Sequence, residues 1–433
     1  MQMWTSNQMR SEFLAFFEKN KHKTVASSSL TNSGDPTVLL TTAGMQQFKP
    51  YYLDPKKTDD ELGTRRVTSS QKCFRTTDID EVGDETHNTF FEMLGNFSFG
   101  DYFKKEAIEY AHEFITNVAK LPISYVTVFQ GSGVVPKDEE SRKIWNKLGV
   151  EDVREEGMED VFWGPTGSEG PCGPTTEIYC KNAAGRDVEI WNIVFNEYRS
   201  SSSRDDLLAG NATLEELETK GIDTGMGLER LVMVAQQKST LFETDLFEML
   251  MVHLDGYTLK DLPKPLKIKS KRIISDHLRG ATFLMAEGLE PSNVKAGYVL
   301  RRILRRAIRY AYQLELPYQV FLDLFRLTAR MYADVYPELG ANLARVHVGF
   351  EKEYRLFGKA IKKGTAMFES LAVANSGNML KGIDVFNLYA TFGFPYELIE
   401  EMAKERGLSV DNKGFSEALE KHKTVSKGER GQN

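Results

Sequence analysis

QKCFRTTDIDEVGDETHNTFFEMLGNFSFG, residues 71–100, sets two strand-forming runs on either side of a long polar segment. It reads as a strand, a polar loop and a second, aromatic-rich strand. Arg75 ends the first strand. Across a hairpin it can face an aromatic such as Phe91, and that pair would clamp a phosphate and stack a purine. Taken alone, Phe91 fits a core position as well.

Outward from this hairpin, residues 67 to 198 hold further β-branched and aromatic runs, SYVTVF (124–129) and VEIWNIVF (188–195), divided by glycine and proline turns. A helical FKKEAIEYAHEFITNVAK (103–120) lies between the hairpin and SYVTVF. The mixture predicts an antiparallel sheet flanked by helices, an α+β arrangement. Polar residues 199–221 predict a surface excursion between two sheet elements. Beyond about Leu241 the pattern turns helical, in LFETDLFEMLMVHL, KRIISDHLRGATFLMAEG, GYVLRRILRRAIRY and LELPYQVFLDLFRLTARMYADVY. The expected division is therefore a sheet domain over residues 1–241 and a mostly α-helical domain over 242–433.

GYVLRRILRRAIRY (297–310) places five arginines in nine positions of a chain whose net charge is −7. Leu300, Ile303, Leu304, Ala307 and Ile308 form an apolar stripe, with Arg301, Arg302, Arg305, Arg306 and Arg309 beside or opposite it. No acidic residue occurs between Glu290 and Glu315. The helix therefore has no partner of its own at the three-or-four spacing, and its arginines are expected on an outer face. Such a face suits phosphate, because each guanidinium fork makes two charge-assisted bonds; a solvated face against acidic neighbours is the alternative.

The chain has 433 residues, 41% hydrophobic and 27% charged, an ordinary composition for a globular protein of two or three domains. It has no run of about 18 apolar residues, and its first residues read as an amphipathic helix, so a cytoplasmic location is expected. Cys73, Cys172 and Cys180 are too few and wrongly spaced for a disulfide framework or a structural zinc site. Cys172, in GPCGP, reads as a buried or turn residue. Neither G-x-x-x-x-G-K-[ST] nor G-x-G-x-x-G opening a helix is present, so a bound nucleotide needs another architecture. DTGMGLERL (223–231) offers one: two close glycines let backbone approach a ligand, and Arg230 starts the helix that follows. A simple turn is the other reading.

The hairpin and the glycine-arginine segment resemble motifs 2 and 3 of the class II aminoacyl-tRNA synthetases. TTAGMQQF, TFFEMLGNFSFGDYF, GPCGPTTEI, EIWNIVF, DTGMGLERL and GYVLRRILRRAIR together resemble the alanyl-tRNA synthetase family, in that family's order from about Met9 onward. The resemblance implies ATP-dependent activation of alanine to alanyl-adenylate, then transfer to the 3′ end of tRNA(Ala). Residue by residue, it implies that Arg75 binds the α-phosphate, Arg230 the γ-phosphate and Phe91 the adenine, with His87, Glu92, Met93, Gly225 and Gly227 completing the ATP site. Trp163, Asn192, Val194 and Asp223 match the alanine pocket, Asp223 taking the ammonium. Glu189 and Asn192 resemble a class II Mg2+-binding edge. Lys295 and Arg301, Arg302, Arg305, Arg306 and Arg309 match the helix that meets the tRNA acceptor stem.

There are three departures from the family pattern. RTTDIDEVG is shorter than the usual motif 2 loop and lacks its lysine. Lys295 and Ala390 stand where the family usually has the Asn and Asp that read the G3:U70 pair. Family members also continue into editing and C-terminal oligomerising domains; here both are expected to be absent and the chain a monomer.

Overall fold

The computed structural model describes residues 4–31, 38–257, 262–375 and 377–430, with side chains of the last helix described as far as Lys423. Two compact units divide between His253 and Leu254.

The first unit is built on one mixed sheet. Its strands are β1 (Lys23–Thr24), β2 (Arg66–Phe74), β3 (Phe90–Phe99), β4 (Tyr125–Phe129), β5 (Val153–Glu156), β6 (Phe162–Trp163), β7 (Gly170–Lys181), β8 (Asp187–Ser200) and β9 (Leu214–Gly227). Their order is β1-β2-β3-β9-β8-β7-β4-β5, with β6 on β7. All pairs from β2 to β4 are antiparallel, and the edge pairs β1–β2 and β4–β5 are parallel. The predicted antiparallel sheet is thus its centre.

The two faces of this sheet have different work. On one lies α1 (Ser6–Lys19), whose Phe13 meets Trp191 of β8 at 5.7 Å between ring centroids. Alternation sends Ile178, Trp191 and Ile193, all buried, to this side. On the other face Cys73, Phe91, Met93 and Phe97 join Ala43, Met45, Phe48 and Tyr52 in a second apolar cluster, and Trp163 packs at its margin. This cluster ends where the polar residues of β7, β8 and β9 begin. The site lies at that boundary.

Residues 199–221 hold more structure than the polar composition predicts. A short helix, Arg204–Leu208, is followed by the first half of β9, which pairs Leu214, Glu215 and Glu216 with Ser200, Arg199 and Tyr198. One side of this ribbon is apolar, Tyr198, Leu207 and Leu214 packing in a cluster with Phe129, Phe162 and Cys172, while Arg199, Glu215 and Glu216 are exposed.

The second unit is almost entirely helical, as expected. Its main helices are α2 (Lys264–Ala286), α3 (Lys295–Gln313), α4 (Gln319–Met331), α5 (Leu343–Ala374), α6 (Gly382–Phe392), α7 (Tyr396–Glu405) and α8 (Asn412–Arg430). The arginine helix is α3. Its apolar stripe is buried as predicted: Leu300, Ile303, Leu304 and Ala307 are all inaccessible.

The basic face departs from expectation, because it is not an open outer surface. Arg305 meets Glu353 of α5 at 2.5 Å and Arg301 the same carboxylate at 3.3 Å. Arg306 makes two bonds to Glu401 of α7, at 2.8 and 2.7 Å, and Arg309 pairs with Glu405. Arg302 lies 4.0 Å from Glu397. Arg306 and Arg309 are only 2% and 4% exposed. The acidic partners sit on other helices, 48 residues further along the chain for Glu353 and 96 for Glu405, beyond any search limited to one helix's own turns. Lys295 and Ala390 are exposed.

At the centre, Arg306 also donates to Nε2 of fully buried His277, 3.0 Å away, while Nδ1 of His277 bonds Asp276 at 2.9 Å. Glu401 further accepts from Tyr310 at 2.7 Å. Burial pushes the Glu401 carboxyl up, but Arg306, Arg309 and Tyr310 bring it down to about 2. With a folded value below the unfolded one, its stabilisation is present above about pH 4 and is lost as pH falls through about 2. Glu401→Gln is expected to lower the stability of the chain by about 2 kcal/mol at neutral pH and to flatten its acid limb, both read by urea denaturation across pH.

Candidate active site

The β2–β3 hairpin forms as read. Arg75 leaves the end of β2, and its guanidinium carbon lies 5.0 Å from the centre of the Phe91 ring, which opposes Cys73 across the pair. Phe91 and Met93 are each 8% exposed, so Phe91 is both a core residue and one wall of a cavity. That cavity is lined by Arg75, His87, Phe91, Met93, Glu189, Gly225, Gly227 and Arg230, together with Asp78, Asn88 and Glu229. His87 comes from the hairpin loop, held by Asp84 at 2.6 Å.

The opposite wall is the end of β9. Gly225 lies in the strand and Gly227 caps the helix Leu228–Ala235, so neither belongs to a simple turn. A Cβ at Gly225 would come within 3.0 Å of the Met93 sulfur, across the pairing that sets Met93 against Gly227. Arg230, in the first turn of the helix, reaches Glu189 at 3.0 Å.

Glu189 gets there through an irregularity in β8. Tyr179 pairs with Glu189 and Ile178 with Trp191, so Ile190 is an extra residue. A bulge resets the alternation of a strand. Glu189 and Asn192, three residues apart, thereby share a face that regular pairing would deny them. The same face carries Val194, opposite Thr175 on one side and Asp223 on the other, and Asn192, opposite Glu177 and Gly225.

Asp223 is 4% exposed, and among the described residues no hydrogen bond or ion pair reaches its carboxylate. Burial alone pushes it up to about 8. Glu177, also buried, accepts from Asn192 Nδ2 at 2.9 Å and from Tyr179 at 2.9 Å. Burial and the nearby Glu189 charge push Glu177 up to about 7. Trp163 pairs with Gly173 at the β6–β7 edge.

Several expected positions need correction or completion. Glu92 is not on the cavity side: alternation turns it toward α1, where it is fully buried and bonds Arg10 at 2.7 and 2.5 Å. Its backbone N–H donates to Glu229, a cavity-lining carboxylate that sequence reading passed over. Glu177 was also missed, although an ionisable residue in the apolar run TTEIYC was a signal for it. Among the described residues no group of three or more His, Cys, Asp or Glu is placed to hold a metal ion. All three cysteines are buried, and burial pushes the Cys172 thiol up to about 12, well away from a nucleophile. No helix among the described residues is long and apolar enough to cross a membrane.

An arginine over an aromatic on a hairpin, facing a glycine-rich strand end and an arginine-bearing helix, on a mainly antiparallel sheet, defines a class. The chain belongs to the tRNA synthetases class II (A), whose family pattern matches residues 8–433. It is 41% identical over 98% of its length to the alanine–tRNA ligase of Treponema pallidum, covering 72% of that protein. It is 40% identical over 99% of its length to the alanine–tRNA ligase of Dehalococcoides mccartyi strain 195, of which it spans about half, 49%. Among solved structures it is similar to S. aureus histidyl-tRNA synthetase, at 11% identity and a TM-score of 0.35 over 55% of this chain and 68% of that one.

Proposed function

We propose that this chain is an alanine–tRNA ligase: it activates L-alanine with ATP to alanyl-adenylate, releasing diphosphate, and passes the alanine to the 3′ end of tRNA(Ala). The observation that carries this reading is the continuity of one sheet face. Arg75, Phe91, Gly227 and Arg230 converge at one end of it, and the Val194–Asp223 pair lies four residues back along β9 from Gly227. A nucleotide at the first and a small amino acid at the second would meet at the α-phosphate.

In this reading Phe91 stacks on adenine, Arg75 binds the α-phosphate and Arg230 the γ-phosphate. Arg230 would exchange its bond to Glu189 for phosphate. His87, Met93, Gly225 and Gly227 shape the nucleotide site. Trp163 and Val194 leave room for one methyl group, and Asp223 takes the ammonium. The alanine carboxylate attacks the α-phosphorus in line and diphosphate leaves, so positioning and charge neutralisation supply the catalysis and no enzyme nucleophile is needed. Of the two residues resembling a metal edge, Glu189 suits Mg2+, a hard ion that takes one or two carboxylates plus substrate phosphates. Asn192, next to Val194 on the strand face, suits alanine.

Catalysis falls to residues 1–241 and tRNA reading to 242–433, where Lys295 is the exposed contact, Arg301, Arg302 and Arg305 keep 16, 13 and 11% of their side chains exposed, and Arg306 and Arg309 brace them. The test is ATP–diphosphate exchange with each of the small amino acids, followed by charging of a tRNA(Ala) transcript. Alanine is expected to support exchange and charging. Exchange with another amino acid in preference to alanine, or exchange without charging, would replace this reading.

A further inference from the structure

Glu177 stands out because it is a buried carboxylate that meets no lysine or arginine among the described residues, yet lies directly across from a residue of the proposed alanine site. Its Oε1 accepts from Asn192 Nδ2 at 2.9 Å, and its Oε2 accepts from Tyr179 at 2.9 Å and from Thr127 at 3.4 Å. Once ionised, as it mostly is at pH 8, the carboxylate can only accept, so it admits one orientation of the Asn192 amide: NH2 toward Glu177, Oδ1 away. That Oδ1 is buried and has no hydrogen-bond partner among the described residues. Buried carbonyl oxygens are rarely left so, unless a ligand or water completes them. Across the strand pair stands Gly225, which lines the cavity and has no side chain to use it.

We propose that Glu177 is a positioning residue for the amino-acid substrate: by fixing the Asn192 amide it presents Oδ1 as a second acceptor, beside Asp223, for the substrate ammonium. The proposal rests on the alanine-activation reading. An ammonium has three donors, and a lone buried carboxylate uses only part of them. Asn192 and Asp223 lie on adjacent strands, one residue pair apart on the same face, close enough for both to reach a single nitrogen. The charged groups facing Glu177 are Glu189, itself tied to Arg230, and Asp160; Tyr179 is the remaining titratable neighbour.

The test compares Glu177→Ala and Glu177→Gln with wild type in ATP–diphosphate exchange at pH 8, and follows the Asn192 side-chain amide by NMR, assigned through its loss in Asn192→Asp. Glu177→Ala is expected to raise the alanine KM about tenfold to a hundredfold, the size of a lost hydrogen bond to a charged group, with the ATP KM and the Mg2+ requirement within about twofold of wild type. Glu177→Gln, which keeps an acceptor oxygen for Asn192, is expected to restore most of the alanine KM. The Asn192 amide signals should move in the alanine variant and stay near their place in the glutamine one.

An unchanged alanine KM in Glu177→Ala would overturn the proposal. So would an ATP KM or Mg2+ requirement that rises in step, which would make Glu177 part of the nucleotide or metal site. Failure of the underlying reading looks different: wild type would lack alanine-dependent exchange, while a moved Asn192 amide would still support the pairing and an unmoved one would reject it.

Discussion

Arg75→Ala and Arg230→Ala are each expected to lower alanine-dependent ATP–diphosphate exchange by about a hundredfold or more, with a folded, normally stable chain. The magnitude follows if each guanidinium stabilises developing phosphate charge by about 3 kcal/mol. Stability should survive because neither residue is part of the apolar core. Arg75 lies over Phe91 at the cavity wall, and the side chain of Arg230 remains about one-third exposed in its pair with Glu189. The two variants should separate kinetically. Removing Arg230 also frees Glu189, so its loss should raise the ATP KM, whereas loss of Arg75 should fall mainly on kcat. Exchange rates near wild type in either variant would remove that arginine from the site.

Asp223→Asn should all but abolish alanine activation while making the protein more stable. A buried ion pair that loses one partner costs about 3 to 5 kcal/mol, which predicts a drop of about a hundredfold to several thousandfold in kcat/KM for alanine. The stability gain has a different origin. Burial raises the Asp223 carboxyl to about 8, so without substrate the folded chain keeps a proton that an unfolded chain releases near pH 4. This contribution is fully present below about pH 4 and is lost as pH rises through 8, so wild type becomes progressively less stable across that range. Asparagine does not ionise, and at pH 8 it should gain on the order of a few kcal/mol in a denaturation experiment. Alanine should narrow the difference by binding only the wild type. A variant less stable than wild type at pH 8 would mean that Asp223 has a partner in the folded chain.

The hairpin, the glycine-rich strand end and the helical second half were all legible, because each is written in neighbouring residues. Arg75 and Phe91 face one another within a single turn of chain, and Arg230 follows its glycines directly. What could not be read depends on parity or on distance. Glu92 sits between Phe91 and Met93, two cavity residues, and strict alternation should have turned it away; the family word that carries it says nothing about direction. Conversely, Glu189 and Asn192 share a face only because Ile190 is extra, and no local pattern marks a bulge there. Glu177 shows its role only when β7 is laid against β8. The arginines of α3 were read correctly as a row, but their carboxylate partners arrive from α5 and α7, far along the chain.

That pairing changes what a nucleic acid would encounter on reaching α3. Five bare arginines would hold mobile anions, and a phosphate displacing them would gain from their release into bulk solvent, with a steep dependence on salt. Glu353, Glu397, Glu401 and Glu405 act instead as tethered counterions that do not diffuse away and cannot be diluted. A phosphate arriving here competes with a fixed carboxylate, so little entropy is released and added salt has little to oppose. Arg306 and Arg309, only 2% and 4% exposed, hold the helix in place, and its surface has a near-neutral overall charge that draws in polyanions from a distance less than bare arginines would.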